Sequence, residues 1–334
     1  VELVSSGVGI LGLGKAVPEK VLTNQDLEAM VDTSDEWITT RTGIKQRHIA
    51  DPDTAASDLG YAAAVEALAN AHADAGHIDL IIAATTTPDM PFPATACLIQ
   101  DRLKARHAAA FDVAAACSGF MYGVEVGKAM MAAGYQKVLV IGVDVISRLI
   151  DYKDRSTCVL FGDGAGAAVL GAVRPGYGIL ASEIGADGSG AMLLHVPAGG
   201  SRIPPQIQSI EAGQHYVKMC GREVYKFAVQ IICESTERVL EKAGVSVDQI
   251  RWFVPHQANV RIIQAAAERL KLDADRVYVN VDRYGNTSAA SVPIAMAELV
   301  ESRKLSEGDL ILMVGFGAGL TWGSAVLRWG GFEL

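Results

Sequence analysis

Short apolar, β-branched runs alternate along this chain with alanine-rich stretches in which apolar positions recur every three or four residues. The runs "DLIIAAT", "KVLVIGVDV", "RWFVPH" and "DLILMVGFG" predict strands. The stretches "ASDLGYAAAVEALANAHA" and "YKFAVQIICESTERVLEKAG" predict helices. The second carries Lys242 in its last turn and Gly244 where a left-handed cap belongs. Strands interleaved with helices in this way indicate an α/β protein.

The pattern also repeats. "IDLIIAATT" and "IRWFVPHQA" begin at Ile78 and Ile250, and "VLVIGV" and "LILMVG" at Val138 and Leu310, so both pairs share an offset of 172 (250 − 78 and 310 − 138). One α/β unit written twice follows, with halves at residues 1–177 and 178–334. A pseudo-twofold axis between them brings the turn around Cys117 and the strand ends of the second half to one site.

Composition narrows the class. At 334 residues, half of them hydrophobic and a fifth charged, the chain is the size of an enzyme with a substantial core. No apolar run reaches the roughly 18 residues of a membrane span, and the glycine-broken N-terminus lacks a basic export signature. A net charge of −9 disfavours nucleic acid as a partner. The five scattered cysteines show no CxxC spacing, so neither a disulfide framework nor a metal site is expected, and a reducing cytoplasm fits.

Three polar stretches interrupt apolar surroundings: "ACSGF", "VPHQANVR" and "YGNTSAAS". Cys117 lies where a strand gives way to a helix, and a helix N-terminus favours a thiolate. A small buried core residue is the plain alternative. His256 ends a strand, with Pro255 expected to stop the ladder just before it. It reads either as a group facing a cleft or as a core histidine bonded to backbone. Asn286 precedes an alanine-rich helix and also reads as an ordinary cap. The order Cys, His, Asn occurs in papain-like hydrolases, whose local signature is absent here. "GDGAGA" matches a dinucleotide fingerprint, but Pro175-Gly176 follows too soon for the helix that motif requires.

"DVAAACSGF", "VPHQANVRII", "YGNTSAASVP" and "GFGAGLTWGSA", with "TSDEWITTRTGIKQRHIA" and "DRSTCVLFGDGAGAAVL", closely resemble β-ketoacyl-acyl carrier protein synthase III of the thiolase-like superfamily. The resemblance spans essentially the whole chain. It implies a duplicated α/β unit layered α-β-α-β-α and a cytoplasmic homodimer that opens fatty-acid synthesis. In that reading Cys117 takes an acyl group, acetyl foremost, from acyl-CoA. Decarboxylating malonyl-acyl carrier protein then attacks it, and the enolate is held by His256 and Asn286. The backbone N–H groups of Cys117 and Ala318 would form the second oxyanion site. Ala318 stands where relatives often carry glycine, so the role requires a negative φ there. The resemblance further implies CoA contacts at Trp37, Arg41, Arg155 and Asn259, and an acyl-pocket wall at Phe92 supplied across the dimer. Carrier-protein docking falls to Gln257, Ala258, Asn259, Val260 and Arg261, extended by Arg222, Lys226 and Arg269. It implies no metal and no cofactor, acyl-CoA being a substrate. A second catalytic cysteine of the kind a thiolase uses late in the chain is missing, since no cysteine follows Cys233.

Overall fold

The computed structural model describes residues 7–332, so the outermost ends of the two expected halves lie outside the described residues. Strands β1 (Gly7–Ala16), β2 (Leu80–Ala84), β3 (Ala109–Val113), β4 (Val138–Asp144) and β5 (Gly164–Val173) form one sheet in the order β1-β5-β4-β2-β3. Strands β6 (Gly178–Ala186), β7 (Ile250–Pro255), β8 (Leu310–Gly317) and β9 (Thr321–Arg328) form the other in the order β7-β8-β9-β6. Directions repeat as well as order. In each sheet two antiparallel pairings are followed by a parallel one, β4 with β2 and β8 with β7. The place that β3 takes beside β2 is reduced in the second sheet to a single parallel bridge between Phe253 and Val277.

Six helices matter here: α1 (Asp35–Thr42), α2 (Ala56–Asn70), α3 (Gly119–Ala132), α4 (Gly221–Ala243), α5 (Val260–Leu270) and α6 (Ser291–Glu301). Because side chains alternate along a strand, each sheet sends one apolar set to either face. Leu80, Ile82, Val138 and Val140 from the first sheet and Val254, Ile311 and Met313 from the second enclose Phe120 and Val124 of α3 and Val292 and Met296 of α6. The intervening residues Ile81, Leu139 and Ile141 pack outward against Leu59, Ala63 and Ala67 of α2. Phe253, Leu312 and Val314 pack outward against Ile232 of α4 and Ile262 and Ala266 of α5. The result is five layers, α-β-α-β-α, with α3 and α6 in the middle. Helix α4 ends as its sequence indicates, on Gly244 at φ 67°.

The two central helices carry the site. Each follows a short 3-10 turn, Ala116–Ser118 and Ser288–Ala290, again at an offset of 172 (288 − 116). Each turn opens on a non-glycine residue in the left-handed region, Ala116 at φ 47° and Ser288 at φ 52°. The fold therefore places Ser288 opposite Ala116, and Ala289 opposite Cys117. Residues 164–173, which follow the dinucleotide-like motif, are strand β5 and not a helix. Among the described residues, no helix is long and apolar enough to cross a membrane.

Candidate active site

Cys117 is 8% exposed and sits in the turn that leads from β3 into α3. The turn is braced from the other sheet. Ser118 Oγ lies 2.8 Å from Ala115 O and 2.9 Å from Thr321 Oγ1, which itself lies 2.8 Å from Ala318 O and 3.1 Å from Ala115 O. Thr321 thus ties the cysteine turn to the loop that carries Ala318. The φ of Ala318 is not positive, so its N–H is available to donate on the terms set out above.

His256 is 1% exposed and directly follows β7. The expectation that Pro255 stops the ladder needs correction. Pro255 pairs with Val314, and the His256 N–H donates to Val314 O at 2.7 Å. Proline is tolerated there because its missing N–H faces the sheet edge. The His256 ring packs edge-on to Phe316 at 5.0 Å between centroids. Burial depresses its pKa to about 3, so the imidazole is neutral at physiological pH. Nδ1 lies 2.5 Å from Ser291 Oγ, and that oxygen already accepts from the Gln257 N–H at 3.4 Å. In the tautomer where the Ser291 hydroxyl donates to Nδ1, Nε2 carries the ring proton.

Asn286 is 6% exposed and clamped through its backbone. Its N–H donates to Leu160 O at 2.8 Å and its carbonyl accepts from the Gly162 N–H at 3.0 Å. Its side-chain Oδ1 accepts from the Ser288 N–H at 2.9 Å, a bond two residues on and not the helix cap its sequence suggests, since Ala290 stands at the N-cap of α6. With Oδ1 so engaged, the amide NH2 is the end left to face the cavity. Cys117, His256 and Asn286 together line a cavity of about 100 Å³, with Phe161, Phe316 and Gly317.

A second, apolar cavity of about 260 Å³ also reaches Cys117, lined by Thr86, Ile146, Leu149, Leu194, Val196 and Ala318 among others. Cys117 is common to both. Burial pushes its thiol up to about 12; the Ser288 hydroxyl opposes the rise and the Asp144 carboxylate adds to it. The resting Cys117 side chain is therefore a thiol, not the standing thiolate that is one of the two readings its sequence leaves open.

The Arg41 and Arg155 guanidinium carbons lie 5.3 and 4.9 Å from the centre of the Trp37 ring. Asn259 lines the first cavity while capping α5, accepting from the Arg261 N–H at 2.8 Å and donating to Arg41 O at 3.1 Å. Arg222, Lys226, Arg261 and Arg269 are exposed, and among the described residues none of them pairs with a carboxylate. Ala258 and Val260 are half-buried. Gln257 departs from its expected surface role. It is 1% exposed, its NH2 donates to Pro255 O and Tyr278 O, and its Oε1 accepts from the Asn280 N–H. It braces the chain behind His256 and presents nothing to a partner. Phe92 is 84% exposed and lines neither cavity of its own chain.

Ser288, Ser291, Thr321 and Phe316 also belong to the site and were not singled out in the sequence. The 172-residue repeat lays the stretch of the two serines, "SAAS" (288–291), over "ACSG" (116–119), which marks its place in the fold but not the serines themselves. Among the described residues, no cluster of three or more His, Cys, Asp or Glu is placed to hold a metal ion.

Comparison with known proteins identifies the family. Residues 111–188 match the family described as 3-oxoacyl-[acyl-carrier-protein] synthase III, and residues 240–329 match its C-terminal part. The β-ketoacyl-[acyl-carrier-protein] synthase III of Caldanaerobacter subterraneus subsp. tengcongensis is 56% identical over 322 residues, covering 96% of this chain and 97% of that one. The crystal structure of the synthase III from Thermus thermophilus superposes with a TM-score of 0.91 at 50% identity, covering 97% of this chain and all of that chain. The synthase III from Aquifex aeolicus gives 0.90 at 48%, with the same coverage. The chain belongs to the 3-oxoacyl-[acyl-carrier-protein] synthase III family.

Proposed function

We propose that the protein opens fatty-acid synthesis by condensing acyl-CoA with malonyl-acyl carrier protein, and that Cys117, His256 and Asn286 carry the chemistry. The observation that supports this most is that the three side chains wall one cavity, with a second, apolar cavity that also reaches Cys117. In the first half-reaction the Cys117 sulfur attacks the acyl thioester, the new S–C bond replaces the bond to CoA, and the thiol proton ends on the departing CoA. The acyl chain enters the apolar cavity. In the second, malonyl loses CO2 and its electron pair becomes a thioester enolate. The enolate carbon attacks the acyl carbon, a C–C bond forms, the bond to Cys117 breaks, and the sulfur recovers a proton.

The enolate needs donors that are not themselves acids or bases at working pH. Neutral His256, held through Ser291, and Asn286, held through Ser288, meet that need. The Cys117 and Ala318 N–H groups serve the oxyanion of the acyl transfer. This chemistry calls for no metal and no cofactor beyond acyl-CoA as substrate. Trp37 with Arg41 and Arg155 suits a purine beside phosphates, stacking and charge combined. Asn259 flanks the pantetheine path. The unpaired cations Arg222, Lys226, Arg261 and Arg269 suit an acidic carrier protein on a chain of net charge −9, with Ala258 and Val260 as the apolar rim. The exposed Phe92 suits a homodimer in which each ring closes the partner's acyl cavity, and the reaction is assigned to the cytoplasm. The test is to supply acyl-CoA and malonyl-acyl carrier protein and weigh the carrier product. A 3-ketoacyl thioester supports the reading, whereas release of free acid with no new C–C bond overturns it in favour of a thioester hydrolase.

A further inference from the structure

We infer that Ser288 is a further catalytic residue: its hydroxyl donates to the Cys117 sulfur and stabilises the thiolate during acyl transfer, while its backbone N–H aims Asn286. The inference rests on the reading above, in which Cys117 carries the acyl group. Ser288 Oγ lies 3.3 Å from Cys117 Sγ, within reach for a sulfur acceptor, and Ser288 is 1% exposed. Among the described residues its hydroxyl has no other hydrogen-bond partner, so its proton has the sulfur alone to serve. The same residue donates its N–H to Asn286 Oδ1 at 2.9 Å. One residue therefore touches both the nucleophile and a donor of the second half-reaction.

The backbone is held for this purpose. A serine at φ 52° is strained, and such a conformation persists only where its surroundings over-determine it. The restraint is visible one residue on: the Ala289 N–H donates to Asp144 Oδ2 at 3.3 Å, and Asp144 is fully buried at the end of β4, its other oxygen bound by residues 85–87. The titratable groups around the sulfur are Asp144 from β4, neutral His256 and Tyr225 lining the first cavity, and His195 lining the second; among the described residues no lysine or arginine lines either cavity. A buried sulfur beside a carboxylate needs a donor to become an anion, and Ser288 is the side chain that supplies one. During attack the Ser288 O–H keeps its proton. It strengthens its bond to the sulfur as charge develops and relaxes once the S–C bond has formed.

The test separates hydroxyl from backbone. Ser288→Ala and Ser288→Gly both remove the hydroxyl, but alanine must bear the left-handed backbone while glycine adopts it freely. Two measurements are made on both: the rate of Cys117 acylation by acetyl-CoA, and the pH profile of Cys117 alkylation by iodoacetamide, with thermal melts as a check on folding. Both variants should acylate about tenfold more slowly or worse, and their alkylation profiles should move up by about one pH unit, the size of one hydrogen bond to a charged sulfur. A glycine variant that acylates and alkylates like the unaltered protein overturns the inference, as does a defect confined to the alanine variant. Should alanine fail to fold, glycine alone decides. If the unaltered protein takes no acetyl group at Cys117, the proposed function fails, and the alkylation profile still judges the contact of Ser288 with the sulfur.

Discussion

Gly317 lies directly beneath Cys117: a Cβ at Gly317 would stand 2.6 Å from the Cys117 backbone N and 3.2 Å from its Cα. The end of β8 can approach the nucleophile's turn only because position 317 has no side chain. Gly317→Ala should therefore push the turn away from Ala318, costing about 1–3 kcal/mol of stability by overpacking. Acylation of Cys117 should fall at least about tenfold, since one misplaced oxyanion donor alone costs about that or more. Thermal melts and single-turnover acylation measure the two effects. A variant of undiminished rate would show that the turn and the loop do not need this approach.

The two half-reactions should separate by residue. Incubation with acetyl-CoA should add one acetyl group at Cys117, seen by mass spectrometry, and Cys117→Ser should nearly abolish it. His256→Ala or Asn286→Ala should leave acylation comparatively intact but reduce malonyl decarboxylation and condensation by on the order of a hundredfold. Acetyl found on Cys97, Cys158, Cys220 or Cys233 would contradict the assignment of the nucleophile.

Buried His256 should make the protein acid-sensitive over a defined window. In the unfolded chain its pKa is ordinary, near 6.5, whereas the fold holds it at about 3. Between these values the unfolded state binds the extra proton, so this group's contribution to stability falls as pH drops from about 6.5 toward 3. The slope is at most about 1.4 kcal/mol per pH unit. Chemical denaturation of the unaltered protein and of His256→Asn across that range should show a shallower dependence in the variant.

Arg261→Glu should raise the KM for malonyl-acyl carrier protein, chiefly at low salt, because exposed charges steer encounter and are screened as ionic strength rises. Acylation of Cys117 by acetyl-CoA should be much less affected. Unchanged condensation at low salt would place the carrier protein elsewhere.

Phe92→Thr should widen primer preference toward longer acyl-CoA, read from a panel of acyl-CoAs by product mass. The same preparation run on a sizing column tests the dimer on which the effect depends. A monomer, or an unchanged primer profile, would remove Phe92 from the acyl pocket.

The sequence by itself determined the layers and their duplication, because apolar periodicity is local information that each strand and helix carries whole. "KVLVIGVDV" and "DLILMVGFG" became β4 and β8 with termini within a residue or so of the apolar runs, and the 172-residue offset reappeared in the turns before α3 and α6. The chemical types at Cys117, His256 and Asn286 were also legible, standing out against apolar neighbours. Tertiary structure alone decided what those groups touch. Gln257 looks like a surface amide in sequence, yet three backbone partners from 255, 278 and 280 draw it inside. Ser291 reaches His256 across 35 positions and Ser288 reaches Cys117 across 171, contacts that exist only once both sheets have closed on the central helices. The protonation states follow from the same closure. A helix N-terminus is readable in a sequence and favours a thiolate, but the desolvation that raises the Cys117 pKa, and that keeps His256 neutral, depends on how completely the packed layers exclude water.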